Sequence, residues 1–364
     1  VSDTPFEVLA VSSVEPHPNA DRLDVVKVLG TQFVTSKGDF QAGDLCVYFP
    51  PDMLIPEGIG VILGISNYLK HAVFPGDLVK SKCRIGAIRL RGVASFGFGI
   101  PLDDLTPGFD VTPAEGTNVT DVFGGAKYQP PGVRGGDSMR QPEIFHKYTN
   151  IQHYYRYASA IAVGTPVRIT EKCHGTGSRI GLVVDNGLEF MCGTHHRRVK
   201  HKDAKDRTSV YWGPLTAKMK EMLLYIAFFA KRPCDQADDV VVFGEIYGNG
   251  IQPMDYGCVA ALGYRVYDIS VNSRYLDWAD VCYFCKHAGI DTVPLLYEGP
   301  FTQELIDEYA NGPTTLAEPE CIKCGFKGRE GIVITPLEEQ SYSDVLGSRL
   351  ILKAVSPDYY QAMG

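Results

Sequence analysis

Short apolar runs punctuated by turn residues fill the first third of the chain. Val8-Leu9-Ala10-Val11, Val25-Val26-Lys27-Val28-Leu29 and Leu45-Cys46-Val47-Tyr48-Phe49 are separated by stretches rich in Gly, Pro, Asn and Asp. Such runs are too short for helices and predict strands; many in succession predict a small β-barrel over residues 1–127. From 128 to 152 the pattern lapses. Pro130-Pro131-Gly132 and Gly135-Gly136 are turn signals without an apolar period, and this stretch reads as a linker. A second domain, 153–364, then opens with longer apolar runs. Val167 and Ile169 alternate toward Lys172, and Val240-Val241-Val242-Phe243 leads into Glu245. Ile332-Val333-Ile334 follows Glu330, and Leu350-Ile351-Leu352 precedes Lys353. These predict buried strands. The helical period occurs over 214–231, where Leu215, Met219, Met222, Leu223 and Ile226 share a face, and again over 278–288.

Charge on an apolar strand is costly unless it is paired or bound to a metal. Two lysines and two glutamates at the ends of four such strands therefore predict one shared site. Lys172 is followed at once by Cys173-His174-Gly175-Thr176-Gly177, a small turn that displays a single amine at the mouth of a pocket. An amine is a nucleophile only when deprotonated, so a neighbour must lower its pKa or accept its proton.

The order of these segments is Lys-x-His-Gly-Thr, then Phe-Gly-Glu-Ile-Tyr-Gly, Tyr-Asp-Ile, Glu-Gly-Ile-Val-Ile and Leu-Lys-Ala-Val-Ser. It resembles the covalent nucleotidyltransferase superfamily, and within it the ATP-dependent RNA ligases. The resemblance covers roughly 155 to 360. It implies an α+β fold, with a ligase domain of antiparallel sheets and flanking helices preceded by an OB-like β-barrel. It implies that Lys172 attacks the α-phosphate of ATP and holds AMP as a phosphoramidate. Glu245 and Glu330 would lie near the ribose and a catalytic Mg²⁺ or Mn²⁺, with Glu330 the stronger metal ligand. Lys353 would face the α-phosphate. Glu171, Cys173, His174 and Gly175 would line the nucleotide, and Tyr267 would stack on adenine, with Tyr264 as a competitor. Many relatives carry Lys-x-Lys in the last motif; here the first position is Ile351, and Arg349 would replace that charge. Arg197 or Arg198 would supply the arginine that relatives place after the nucleophile strand.

The implied reaction joins a 3′-OH to a 5′-phosphate through lysyl-AMP and an AMP-capped 5′ end. Expected substrates are RNA or RNA/DNA nicked duplexes with RNA on the 3′-OH side. Alternatives are a DNA nick ligase, a capping guanylyltransferase, and a non-catalytic RNA-binding protein built on the barrel. His174 counts against the first; the intact lysines and glutamates count against the last.

Composition narrows the partners. Lys+Arg 35 against Asp+Glu 43 gives −8, which argues against a nonspecific nucleic-acid coat but leaves local phosphate contacts open. One basic cluster, His195-His196-Arg197-Arg198-Val199-Lys200-His201-Lys202 with Lys205 and Arg207, is a candidate phosphate surface. Lys80 to Arg84, with Arg89 and Arg91, give the barrel basic groups of its own. There is no apolar run of membrane-spanning length and no basic n-region at the start, so neither membrane nor secretory leader is expected. Ten cysteines without the density of a secreted scaffold favour a reducing, cytoplasmic setting, and a monomer is the expected state. Cys282-x-x-Cys285 and Cys321-x-x-Cys324 have zinc-like spacing, but the first pair falls on the helical stretch, where packing is the simpler reading.

Overall fold

Strand Leu45–Phe49 shows how alternation builds the N-terminal part. In the computed structural model, Val47 and Phe49 enter one core with Phe6, Val8, Ile55 and Ile85, while Cys46 and Tyr48 enter a second with Leu9, Val26 and Phe33. Successive side chains point to opposite faces, so one five-residue strand seals two cores. It pairs antiparallel with Glu7–Ala10 on one edge and Phe98–Pro101 on the other. Ser13–Pro16, Leu23–Val28 and Thr31–Ser36 form a meander. Further antiparallel strands complete a β structure of short elements, as the turn-rich sequence predicts. A Cβ on Gly99 would sit 2.3 Å from Phe33 Cζ, so the missing side chain is what admits the buried ring.

The structure describes residues 5–65, 69–71, 82–105, 111–128, 138–184, 187–203, 205–228, 238–342 and 348–363. Lys80, Lys231 and the Gly/Pro signals from Pro130 to Gly136 lie outside them. Packing divides the chain into two units, 1–131 with 360–364, and 132–359. Within the expected linker, Ser138–Met139 pairs with Arg198–Val199, and Phe145 and Tyr148 are buried in the second unit.

The second unit is layered. A seven-stranded sheet has Thr176–Val184, Asp239–Tyr247 and Gly263–Val271 at its centre, all antiparallel. Along Asp239–Tyr247, Val240 and Val242 face a core with Met219, Met222, Leu223 and Ile226 of helix Ala217–Phe228 and with Val281 and Cys285 of helix Trp278–Ala288. Val241 and Phe243 face the other way, toward Tyr148 and Ile351. The helix expected over 214–231 begins at Ala217; Pro214 and Leu215 lie ahead of it. The second helix has the predicted bounds and ends on Gly289 at φ 61, the left-handed cap that glycine takes most cheaply.

A five-stranded sheet carries Pro166–Glu171 between Gly331–Pro336 and Leu295–Pro300, with Leu352–Val355 beside Gly331–Pro336. Its Val167, Ile169, Ile332, Ile334, Leu352 and Ala354 pack on Phe301, Leu305 and Ile306. The sequence begins the last strand at Leu350, whereas strand geometry begins at Leu352; Leu350 and Ile351 are buried nevertheless.

Candidate active site

Lys172 leaves strand Pro166–Glu171 at its carboxyl end, and Glu330 enters Gly331–Pro336 at its start. The two strands are antiparallel, with Glu171 opposite Ile332, so these ends coincide. Lys172 N–H donates to Gly331 O at 2.9 Å, and the Lys172 ammonium forms a direct ion pair with Glu330 Oε1. Both side chains are largely enclosed, at 24% and 12% exposure. Glu245 arrives from the other sheet. Gly177 is its register partner, and a Cβ on Gly177 would sit 3.7 Å from Glu245 Oε2 and 3.6 Å from the Tyr267 hydroxyl. Gly175 is bare for a stricter reason: a Cβ there would meet Ile246 O at 2.2 Å.

The electrostatics separate the two carboxylates. Burial opposes the charge on Lys172, but Glu330 and Glu245 outweigh it and hold the ammonium above its ordinary range. Burial alone would raise Glu330; Lys172 overrides it and draws the carboxyl down to about 2. Glu245 is pushed up to about 8 by burial, with Lys172 opposing and Glu330 reinforcing. Thus Glu330 is the standing counter-ion, and Glu245 holds a proton near neutrality. Glu330 Oε2 is buried with no hydrogen-bond partner. An orphaned hard oxygen beside a second carboxylate fits a hard divalent cation. Among the described residues no group of three or more His, Cys, Asp or Glu forms a closed metal site.

Lys353 is 8% exposed and lies opposite Val333 in the strand ladder. His153 pairs with it in parallel register on Gln152–His153. Burial, then Lys353 and Lys172, lower His153 to about 3, so its imidazole is neutral among cations. His153 carries no sequence motif; only the long-range strand pairing reveals it.

Tyr267 and Tyr264 are separated by a bulge. Phe243 pairs with Asp268 but Gly244 with Val266, so Tyr267 is the extra residue. The bulge turns Tyr267 toward Glu245, the re-aiming such irregularities provide. Tyr264 instead lays its hydroxyl over Gly244, where a Cβ would come within 2.4 Å.

Three expected nucleotide contacts are engaged elsewhere. Arg349 makes a fork on Asp268, at 2.6 and 3.1 Å, and reaches Glu339 at 2.5 Å. Arg168 approaches the same Asp268 at 3.4 Å, and Tyr148 also bonds to it. Arg349 therefore does not take the place of the missing first lysine at a phosphate; its guanidinium is bound into a buried network. Glu171 accepts from Thr314 Oγ1 at 2.5 Å and from Thr315 N at 2.7 Å, so it anchors that loop. Cys173 is buried, its thiol raised well above the usual range by burial and then by Glu171.

Arg197 is exposed while Arg198 is buried and paired with Glu189. Part of the basic cluster is self-neutralised through Lys202–Asp206 and Arg207–Asp203. Cys282 and Cys285 sit on helix Trp278–Ala288, with Cys285 in the core, and the described cysteines are free thiols.

Sequence reasoning also missed Tyr359. Its hydroxyl lies 3.1 Å from His174 Nδ1, and Tyr256 Oη accepts from His174 N at 2.8 Å. Ser356-Pro357-Asp358 after the Lys353 strand is a helix-start signature that could have pointed to it.

A search of curated proteins found no match. Solved structures do match. A lysine-to-alanine variant of Naegleria gruberi RNA ligase with ATP and Mn is 21% identical, with TM-score 0.74 and 98% of each chain covered. A glutamate-to-alanine variant of that ligase with AMP and Mn gives 21% identity and TM-score 0.73, covering 98% of this chain and 97% of that one. The same ligase with PPi gives 20% identity and TM-score 0.71, again over 98% and 97%. At this identity the likeness shows a shared fold. An OB-fold domain model matches residues 6–102, so the N-terminal β structure is of that class. The RNA ligase family model matches residues 165–355, which is more than half the chain and spans Lys172, Glu245, Glu330 and Lys353. This chain belongs to the RNA ligase family.

Proposed function

We propose that the protein is an ATP-dependent RNA ligase whose first step is adenylylation of Lys172. The observation that carries this is the enclosed Lys172–Glu330 pair with Glu245 beside it and Lys353 on the adjoining strand. Lys172 Nζ attacks the α-phosphorus; the P–N bond forms as the bond to pyrophosphate breaks. AMP then passes to a 5′-phosphate, and a 3′-OH displaces it. Each step is phosphoryl or nucleotidyl transfer, in which positioning and charge stabilisation do most of the work.

Glu330 and Glu245 would hold Mg²⁺ or Mn²⁺. When bound, the ion supplies positive charge beside the phosphates and offsets the charge on Glu330. Lys172 must shed a proton before it attacks. Glu330, near 2, is a poor acceptor, and Glu245, near 8, already holds a proton at neutral pH, so the ammonium proton leaves to solvent rather than to either carboxylate. Lys353 places fixed positive charge where the α-phosphate gains negative charge. Tyr267 would stack on adenine beside Gly177, and His153 would offer a neutral hydrogen-bonding group next to Lys353.

The test is incubation with α-labelled ATP and Mn²⁺, followed by mapping of the label. AMP on Lys172 is expected, with Lys353→Ala slowed about a hundredfold. Absence of label on protein shown to be free of prebound AMP would overturn the reading. The finer substrate, a nick in a duplex with RNA on the 3′-OH side, is supported by the domain order the sequence resembles. Exposed Arg197 and Lys200 offer positive charge for its phosphates. Equal sealing of all-DNA nicks would remove the RNA preference. The cytoplasm as its setting rests on cysteine usage alone.

A further inference from the structure

His174 is held from three sides. Its backbone N–H is fixed by Tyr256, and its ring packs on Tyr359 with centroids 5.3 Å apart. Nδ1 lies 3.1 Å from Tyr359 Oη and 3.5 Å from Glu330 Oε2. Nε2 is buried and has no hydrogen-bond partner. Tyr359 is fixed in turn. Its N–H donates to Ser356 Oγ at 3.1 Å, Ser356 N–H donates to Glu330 O at 2.9 Å, and Ser356 Oγ bonds to Asn311 Oδ1 at 2.6 Å. The start of helix Pro357–Met363 is therefore tied to the backbone of the carboxylate that pairs Lys172.

Two neighbours compete for Nδ1. At 3.5 Å Glu330 Oε2 is at the outer limit of a hydrogen bond, and it counts among the buried oxygens without a partner. Tyr359 is nearer and is a donor. If its O–H donates to Nδ1, the ring proton must reside on Nε2. A buried N–H with no partner is costly, and it is kept where a ligand will satisfy it.

We propose that Tyr359 is a positioning residue for His174: its hydroxyl donates to Nδ1, keeps the proton on Nε2, and so presents an N–H donor to a phosphoryl oxygen bound in the Lys172 pocket. This rests on the nucleotidyl-transfer reading of that pocket and adds to it an element outside the Lys172, Glu245, Glu330 and Lys353 set. No proton changes hands; the donor contributes by being already oriented when charge develops on the oxygen. The tyrosine serves as the orienting partner that fixes one ring nitrogen so that the other can work.

The experiment uses the full chain as wild type, Tyr359→Phe, His174→Ala and the double variant. Nitrogen-15 NMR of the ligand-free protein at one pH reads the His174 tautomer. Nε2–H is expected in the wild type, with a shift toward Nδ1–H or a mixture in Tyr359→Phe, which keeps the ring contact but lacks the hydroxyl. Self-adenylylation at saturating ATP should fall about tenfold in Tyr359→Phe and about a hundredfold in His174→Ala. KM for ATP should change little in Tyr359→Phe, and the double variant should match His174→Ala, because the tyrosine acts only through the histidine. An unchanged tautomer in Tyr359→Phe, or a further loss when it is added to His174→Ala, would overturn the proposal. If the wild type takes no label, the ligase reading fails, while the tautomer measurement still judges the Tyr359–His174 pair.

Discussion

At the scale of single residues, the site stores a conflict that the ligand-free protein must carry. Glu245 is half-buried beside Glu330, and its folded pKa of about 8 lies above the ordinary carboxylate value near ~4.3. For an acid shifted upward, the favourable protonated form is fully populated in both states below the unfolded value. Between ~4.3 and 8 the unfolded chain releases the proton while the folded one retains it, so stability falls as pH rises. Above 8 no further loss comes from this group. Glu245→Gln imitates the protonated form at every pH. It should raise stability by about 1–3 kcal/mol at pH 9 and change it little at pH 4.5, while abolishing self-adenylylation. Denaturant titrations at the two pH values check this; an equal effect at both would remove the electrostatic cause. Glu330 behaves oppositely. Its lowered pKa contributes stability above the ordinary carboxylate range, and that stability is lost only as pH falls toward 2.

At the scale of elements, strands and bulges decide which residues meet. The four charged strand ends were legible because a charge on an apolar run stands out locally. The helix over 278–288 was legible too, since apolar period and Gly289 agree. Arg349 was misread for a physical reason. Period-two spacing from Ile351 puts it on a plausible face, but its partners Asp268, Glu339 and Tyr148 come from distant segments, and no local pattern encodes them. His153 was missed on the same ground. The different settings of Tyr267 and Tyr264 come from a bulge that a single sequence does not mark. The Arg349 network makes its own prediction. Arg349→Ala leaves Asp268 buried and short of its bidentate partner, so stability should drop about 3–5 kcal/mol. Arg349→Lys keeps the charge but loses the fork and should recover only part of it. Urea unfolding measures both. A loss below about 1 kcal/mol in Arg349→Ala would show that solvent or Arg168 replaces the guanidinium.

At the scale of the whole molecule, the proposed reaction separates into steps that use different parts of the site. Only the first step consumes the Lys172 amine; the last joins a 3′-OH to an end already carrying AMP. Lys172→Ala should therefore form no AMP-protein and seal no ordinary 5′-phosphate end, yet still join a pre-adenylylated one. The Lys353 charge serves a phosphate oxygen rather than the amine, so Lys353→Ala should slow the joining of pre-adenylylated ends as well as self-adenylylation. Gel assays on the two substrates, run in parallel for both variants, resolve the pattern. If Lys353→Ala spares the pre-adenylylated reaction completely, its role is confined to the Lys172 step. If Lys172→Ala still becomes labelled, another group is the nucleophile and the site has been built around the wrong residue. The enclosed ion pair makes the second outcome hard to reconcile with the fold. An ammonium placed between carboxylates at the junction of two sheets, on strand ends the backbone holds within hydrogen-bonding distance, is costly to bury unless the arrangement itself is what the molecule uses.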